Sequence, residues 1–313
     1  MIAVTVGDVC GIGPEVVLKA LSDPEIARRC IVVGDRGAVA AQARRLGLAV
    51  PERFESVAAL SAPYPAFGAV DARAGEAAYQ FIRHAAAMAM AGKVGAVVTA
   101  PISKEAMHHA GHLYPGHTEL LAALAGDVEV RMMLANDELR VILVTIHEAL
   151  GSAIGRIKRD LVLRTIEIAA SGLRQMGIAA PRIAVAGLNP HAGEGGLFGT
   201  EEIAEIAPAV AAARAAGIDA SGPYPPDTVF MRARGFRHFD AVVAMYHDQG
   251  LIPVKYLGLD EGRNITLGLP FLRISPDHGT AFDIAGKGIA DPTSMASALA
   301  CAADMLDHAC GAL

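Results

Sequence analysis

Residues 2–21 read IAVTVGDVCGIGPEVVLKAL, and the fold turns on how that stretch is divided. The β-branched run from Ile2 to Val6 has the character of a buried strand. Gly7, Gly11 and Gly13 follow it and supply turn conformations that a Cβ disfavours. Pro14 suits the first helical position, where its missing N–H costs nothing, and Glu15 faces the positive end of the helix dipole. A strand, a tight turn and a helix start therefore succeed one another. The turn is not a G-x-G-x-x-G fingerprint, because Val16 occupies the third glycine position, and no Walker-type lysine follows.

The same alternation continues along the chain. Short apolar runs (CIVVGD at 30–35, GAVVTA at 95–100, RIAVAGLN at 182–189, FDAVVAMY at 239–246) are separated by alanine-rich helical patterns at 75–91, 159–176 and 200–216. This predicts an α/β fold with a largely parallel sheet. Residues 131–146, RMMLANDELRVILVTI, differ: two strand-like runs flank Asn136 and Asp137, which predicts an antiparallel hairpin. Residues 292–309 read as a closing helix with Pro292 near its start.

Composition bounds the function. The 313 residues are 53% hydrophobic and 19% charged, enough for a well-filled core. A net charge of −6 and a pI near 6.0 argue against general nucleic-acid binding or an anionic membrane surface. Cys10, Cys30, Cys301 and Cys310 form no C-x-x-C pair, so reduced thiols are expected rather than a zinc ribbon or a disulfide framework. The first strand starts at residue 2, which leaves no room for a charged n-region, and the apolar runs are too short to span a bilayer. A cytoplasmic protein, with no membrane and no nucleic acid among its partners, is expected.

Groups able to bind or titrate follow the strand candidates, where ligands sit in open α/β sheets. His147, His191 and His247 each interrupt an apolar strand end, and His117 lies in YPGHTELL. Separated imidazoles converging at one sheet edge suit an open divalent-metal site, with Glu148 and Asp248 as ligands, supporting partners or solvated groups. Spacing alone does not separate a metallohydrolase from a metal-dependent dehydrogenase. Lys255, Asn264 and Arg273 add cations and an amide beside apolar runs, implying an anionic ligand or an acidic neighbour; a solvated charge is the alternative for Arg263. Donors at the helix start His117-Thr118-Glu119 favour an anion, unless Thr118 is simply an N-cap. In the second glycine-rich passage, DHGTAFDIAGKGIADPTSM at 277–295, Asp283 could accept hydrogen bonds from ribose hydroxyls.

With these segments in view, the chain resembles the 4-hydroxythreonine-4-phosphate dehydrogenase family of vitamin B6 biosynthesis, including its branch acting on D-threonate and D-erythronate 4-phosphates. The resemblance rests on GDVCGIGPE, VTAPISK, GHTELLA, GLNPHAGEGGLFGTEE, GPYPPDT, AMYHDQGLIPVKYLG and RNITLGLPFLRISPDHGTAFDIAGKG, which cover nearly the whole length. GIGPEV and HGTAFDIAGKGIADPTSM are more distantly similar to isopropylmalate and isocitrate dehydrogenases. That likeness implies two α/β/α domains around a largely parallel sheet, residues 1–115 plus 256–313 and residues 116–255, with the active site in the cleft between them. The resemblance to the 4-hydroxythreonine-4-phosphate dehydrogenase family implies His147, His191 and His247 as ligands of a divalent metal (zinc, cobalt or magnesium) shared across a homodimer interface, with Asp227 nearby. His117, Thr118, Lys255, Asn264 and Arg273 match substrate-binding positions. By the more distant likeness, His278, Gly279, Ala281 and Asp283 line the cofactor, and the acidic Asp283 favours NAD over NADP. Asp248 and Lys255 are the catalytic candidates for the general base.

Two departures bear on substrate choice: Val9 and Cys10 replace the family's usual Pro and Ala, and EALG follows His147 where a small apolar continuation is commoner. A sister branch that oxidises aromatic cis-dihydrodiols lacks the His-Thr pair, so His117 and Thr118 point to a phosphorylated four-carbon substrate. The expected reaction is NAD-dependent oxidation of the secondary alcohol of 4-phosphooxy-L-threonine to a β-keto acid, which decarboxylates to 3-amino-2-oxopropyl phosphate. The D-threonate and D-erythronate 4-phosphates are the alternative substrates. Rival readings are a metal-dependent phosphate-ester hydrolase and a metabolite-binding subunit without activity.

Overall fold

A computed structural model describes residues 1–258 and 262–311, with the side chains of 309–311, Cys310 among them, outside the description. The chain divides into two compact units, one of Met1–Glu129 with Leu269–Gly311 and one of Val130–Gly268.

Unit 1 carries β1 (Ile2–Thr5), β2 (Cys30–Gly34), β3 (Phe54–Ser56) and β4 (Ala96–Thr99). Unit 2 carries β5 (Arg131–Ala135), β6 (Arg140–Leu143), β7 (Ile183–Ala186), β8 (Ala220–Tyr224), β9 (Ala241–Ala244) and β10 (Arg263–Leu267), and β11 (Leu272–Pro276) returns to unit 1. In unit 1 the order is β3-β2-β1-β4-β11, all parallel. In unit 2 it is β10-β5-β6-β9-β7-β8, parallel except that β5 runs antiparallel to both neighbours. The β5–β6 hairpin is the one read from the sequence. Asn136 makes its turn, its Oδ1 accepting from the backbone N–H groups of Glu138 and Leu139 at 2.9 and 2.8 Å.

The unit boundaries differ from those read in the sequence. The segment holding helix His117–Leu124 belongs to unit 1, where that helix packs on helix Ala72–Met90. β10 belongs to unit 2 because it pairs with β5. The helical pattern at 200–216 is a wide π-turn, Glu202–Ile206, leading into the helix Ala207–Ala215. Pro208 explains the loosened winding: it lacks the N–H for the i−4 carbonyl, and its ring crowds that carbonyl.

The opening turn works as a clamp. Gly7 has φ +69°, and a Cβ there would lie 2.2 Å from the Pro101 carbonyl oxygen, so only glycine fits. Glu15 does more than face a dipole. It is fully buried, its Oε1 accepts from Lys19 Nζ and from the Ala290 backbone N–H, both at 2.8 Å, and Lys19 also donates to the Gly288 and Ala290 carbonyls. The first glycine turn therefore holds the second glycine-rich passage. Cys10, Cys30 and Cys301 are in no disulfide, and no helix among the described residues is long and apolar enough to cross a membrane.

Asp8, fully buried in this turn, accepts from the Cys10 backbone N–H at 2.8 Å, and burial raises its pKa to about 6. The folded chain thus holds the Asp8 proton to higher pH than the unfolded chain does. The stability this contributes is present at acid pH and disappears as pH rises from about 4 through 6. Over that interval Asp8→Asn should gain stability relative to the parent, by up to about 3 kcal/mol, read from denaturant unfolding at several pH values. A pH-independent difference would contradict the burial argument.

Candidate active site

In unit 1 the polar groups gather at the ends of β4 and β11. Arg273 on β11 is only 2% exposed, and its Nη2 donates to Thr99 Oγ1, at the end of β4, at 2.7 Å. Burial lowers its pKa to about 10, against the opposing charge of Glu119. Arg273 is therefore the buried cation that the sequence implied needs an anion or an acidic neighbour. His117 opens helix His117–Leu124, and its Nε2 is enclosed without a hydrogen-bond partner. Burial, and then the charges of Arg273 and Lys104, hold its pKa well below the ordinary value of 6.5. The N-cap is Gly116, which settles the Thr118 alternative: Thr118 lies inside the first turn and does not cap it. A neutral imidazole with an orphaned nitrogen, beside a buried guanidinium at a helix N-terminus, is suited to an anion. Thr99 and Lys104 were not singled out as site residues, although both lie in the quoted motif VTAPISK.

In unit 2 the parallel pair β6–β9 extends past its strand ends. Val144 N–H donates to the Ala244 carbonyl at 2.9 Å, and both the N–H and Oγ1 of Thr145 donate to the Met245 carbonyl. This register carries His147 and His247 out together, with ring centroids 5.5 Å apart. His247 Nδ1 donates to Asp248 Oδ1 at 2.7 Å, which leaves Nε2 as the nitrogen that could reach an ion. The donor set fits a divalent ion: with metal–nitrogen bonds of about 2 Å, two imidazoles at a tetrahedral angle place their ring centres about 5 Å apart. Glu148 is engaged by Arg156 at 3.0 Å. His191 lies elsewhere, lining a cavity of about 790 Å³ with Asp227; Tyr246 and Asp248 line that cavity and also the roughly 290 Å³ cavity of His147 and His247. Among the described residues no group of three His, Cys, Asp or Glu side chains assembles a metal site.

Lys255 stands exposed on helix His247–Leu257 rather than beside a buried strand, so desolvation makes no demand on it. Arg263 pairs with Asp137 at 2.8 Å instead of being merely solvated. Asn264 on β10 keeps an enclosed Oδ1 that accepts no hydrogen bond. Back in unit 1, His278 Nδ1 donates to the Gly279 carbonyl and its Nε2 is enclosed without a partner, Ala281 has φ +42°, and Asp283 is exposed. This segment is tied to the opening turn through Ile12 N–H to the Thr280 carbonyl at 3.0 Å.

Because the folded state lowers the pKa of His117, its stability contribution is complete above pH 6.5 and is lost as pH falls below that value, where the unfolded chain takes the proton first. His117→Gln should flatten the acid side of the stability profile, by at most about 1.4 kcal/mol per pH unit. Lys104→Met, at an exposed position, should raise the His117 pKa in an NMR titration; an unmoved value would remove Lys104 from the cationic field.

The sequence profile described as "Pyridoxal phosphate biosynthetic protein PdxA" matches residues 24–302. A 4-hydroxythreonine-4-phosphate dehydrogenase of Beijerinckia indica is 54% identical, over 95% of this chain and 92% of its own. A D-threonate 4-phosphate dehydrogenase of Cupriavidus necator is 50% identical, over 96% and 95%. The crystal structure of a 4-hydroxythreonine-4-phosphate dehydrogenase from Klebsiella pneumoniae superposes with a TM-score of 0.91 at 44% identity, covering 97% of this chain and 99% of that one. The chain belongs to the PdxA family of pyridoxal phosphate biosynthetic proteins.

Proposed function

We propose that this oxidoreductase oxidises the secondary alcohol of 4-phosphooxy-L-threonine with NAD, giving a β-keto acid that loses carbon dioxide to form 3-amino-2-oxopropyl phosphate. The observation that carries the reading is the buried Arg273 with Thr99 and the orphaned Nε2 of neutral His117, an arrangement that favours a small dianion such as a phosphate ester.

In this reading Arg273, His117 and Thr118 hold the substrate's phosphate. Asn264 Oδ1, an acceptor in want of a donor, takes an N–H or O–H of the substrate. His147 and His247, with His191, would hold the divalent ion. A bound ion supplies Lewis acidity at the substrate's oxygens, and a bound nicotinamide supplies the hydride acceptor. Asp248 orients His247, and Asp248 and Lys255 are the two candidates for taking the proton of the substrate hydroxyl. His278, Gly279, Ala281 and Asp283 would line the dinucleotide, with Asp283 favouring NAD over NADP. The exposed apolar side chains of Met231, Ile252 and Tyr256, at 75%, 65% and 90%, border the His191 cavity and favour a homodimer there. A cytoplasmic setting is part of the same reading.

The D-threonate 4-phosphate dehydrogenase of Cupriavidus necator, 50% identical, favours a second reading in which the substrate is D-threonate or D-erythronate 4-phosphate. Purified protein should form reduced nicotinamide with zinc, cobalt or magnesium on one of the three phosphates. Turnover on the amino acid alone supports the first reading, and turnover on an acid phosphate alone supports the second. Phosphate release without nicotinamide reduction would sink both. His247→Ala should lose metal-dependent turnover by at least about 100-fold, and retained activity with retained metal would remove that ligand.

A further inference from the structure

We propose that Glu202 is the positioning residue for His191: its buried carboxylate holds the turn that carries the imidazole and so sets the affinity of the imidazole site for its ion. The proposal rests on the reading of His191 as a metal ligand.

The turn is unusual. From His191 to Gly195 every residue is left-handed, with φ of 52°, 55°, 80°, 44° and 67°. Residues with a Cβ avoid that region, yet His191, Ala192 and Glu194 occupy it in one short segment. Such backbone persists only where its surroundings over-determine it. Glycines account for two of the five positions; something else must hold the other three.

Glu202 is placed to do so. It is 3% exposed, and its Oε1 accepts from the backbone N–H groups of Leu188 and Asn189, both at 2.7 Å. Asn189 Nδ2 donates to Glu202 Oε2 at 2.9 Å and to Glu201 Oε2 at 2.7 Å. The residues entering the turn are thereby pinned to one carboxylate. The turn then winds around it: a Cβ on Gly193 would stand 2.8 Å from Glu202 Oε2, and one on Gly187 would stand 3.1 Å from Oε1. Phe198 N–H closes the turn on the Gly193 carbonyl at 3.1 Å.

Among the described residues no cation pairs with Glu202, so the buried charge is solvated by amide N–H groups alone. That makes the arrangement directional. Each N–H must point at the carboxylate, and moving the carboxylate moves the backbone one and two residues before Pro190. A salt bridge on a flexible lysine would transmit no such constraint. The motif GLNPHAGEGGLFGTEE thus reads as one device, with a strained turn bearing an imidazole at one end and the acid that holds it at the other.

The test uses full-length Glu202→Gln and Glu202→Ala, with His191→Ala as the reference. Zinc and cobalt(II) affinities are measured by calorimetry, the visible spectrum of the cobalt form is recorded, and hydrogen exchange is followed over residues 187–199. Glutamine keeps the size and one acceptor oxygen but turns an NH₂ toward Asn189, so it covers the case in which the alanine variant fails to fold. The expected result is metal affinity lowered about 10- to 100-fold in Glu202→Gln, with an altered cobalt spectrum and faster exchange confined to the turn. Dinucleotide affinity should be unchanged. Faster exchange in the turn with unchanged metal affinity and spectrum would make Glu202 a staple only and overturn the proposal. Unchanged affinity in His191→Ala would overturn it through its premise, because His191 would then not be a ligand.

Discussion

A guanidinium taken almost wholly out of water is the constraint on which unit 1 is arranged. Arg273 lies on β11, beside β4, where a charge is costly unless partners replace its lost hydration. Thr99 satisfies one donor, and the neutral state of His117 avoids adding a second positive charge. Helix His117–Leu124 turns its N-terminus toward the same place, and the acid whose charge opposes the lowered Arg273 pKa is Glu119. The Nε of Arg273 is enclosed without a hydrogen-bond acceptor. On the proposed reading an anion arriving there would improve the free energy of the arrangement, which is how a binding site differs from a core.

Unit 2 solves a different problem, that of placing weakly attached imidazoles with precision. The hydrogen bonds that prolong the β6–β9 register past the strand ends fix the spacing of His147 and His247 before any side-chain contact forms. Asp248 then fixes the ring of His247. His191 has no strand to define it and relies on a turn of the wrong hand. Rigid elements position a group cheaply, whereas loops do so only with added constraints.

Much of this was legible in the sequence, and the missing part has a physical reason. Strand-helix alternation, the β5–β6 hairpin and the helix starts are local properties, carried by apolar runs, turn residues and proline. The candidate imidazoles and Arg273 were found because each stands after or within an apolar run. What escaped was environment. Lys255 and Arg273 both sit beside apolar residues in the sequence, but one is exposed on a helix and the other is buried on a strand. Helical period 3.6 and strand period 2 put neighbouring residues on different faces, and a short segment such as IPVKYLG does not declare which period applies. Thr99 and Lys104 escaped because their relevance comes from β11 and from residue 117, far away in the chain.

The carboxylates make the same point more sharply. Asp8, Glu15, Glu202 and Asp248 are one functional group in four settings. Asp8 is buried, accepts from the Cys10 backbone N–H, and holds its proton to about pH 6. Glu15, equally buried, is stabilised by an ammonium and an amide and fastens two glycine-rich segments. Glu202 has amides alone and shapes a turn. Asp248 is exposed and orients a histidine. Residue type determines what a group can do, but the donors that reach it determine which of those things it does. Those donors arrive from Cys10, Ala290, Leu188 and His247, so the role of each acid is a property of the fold rather than of its own position in the sequence.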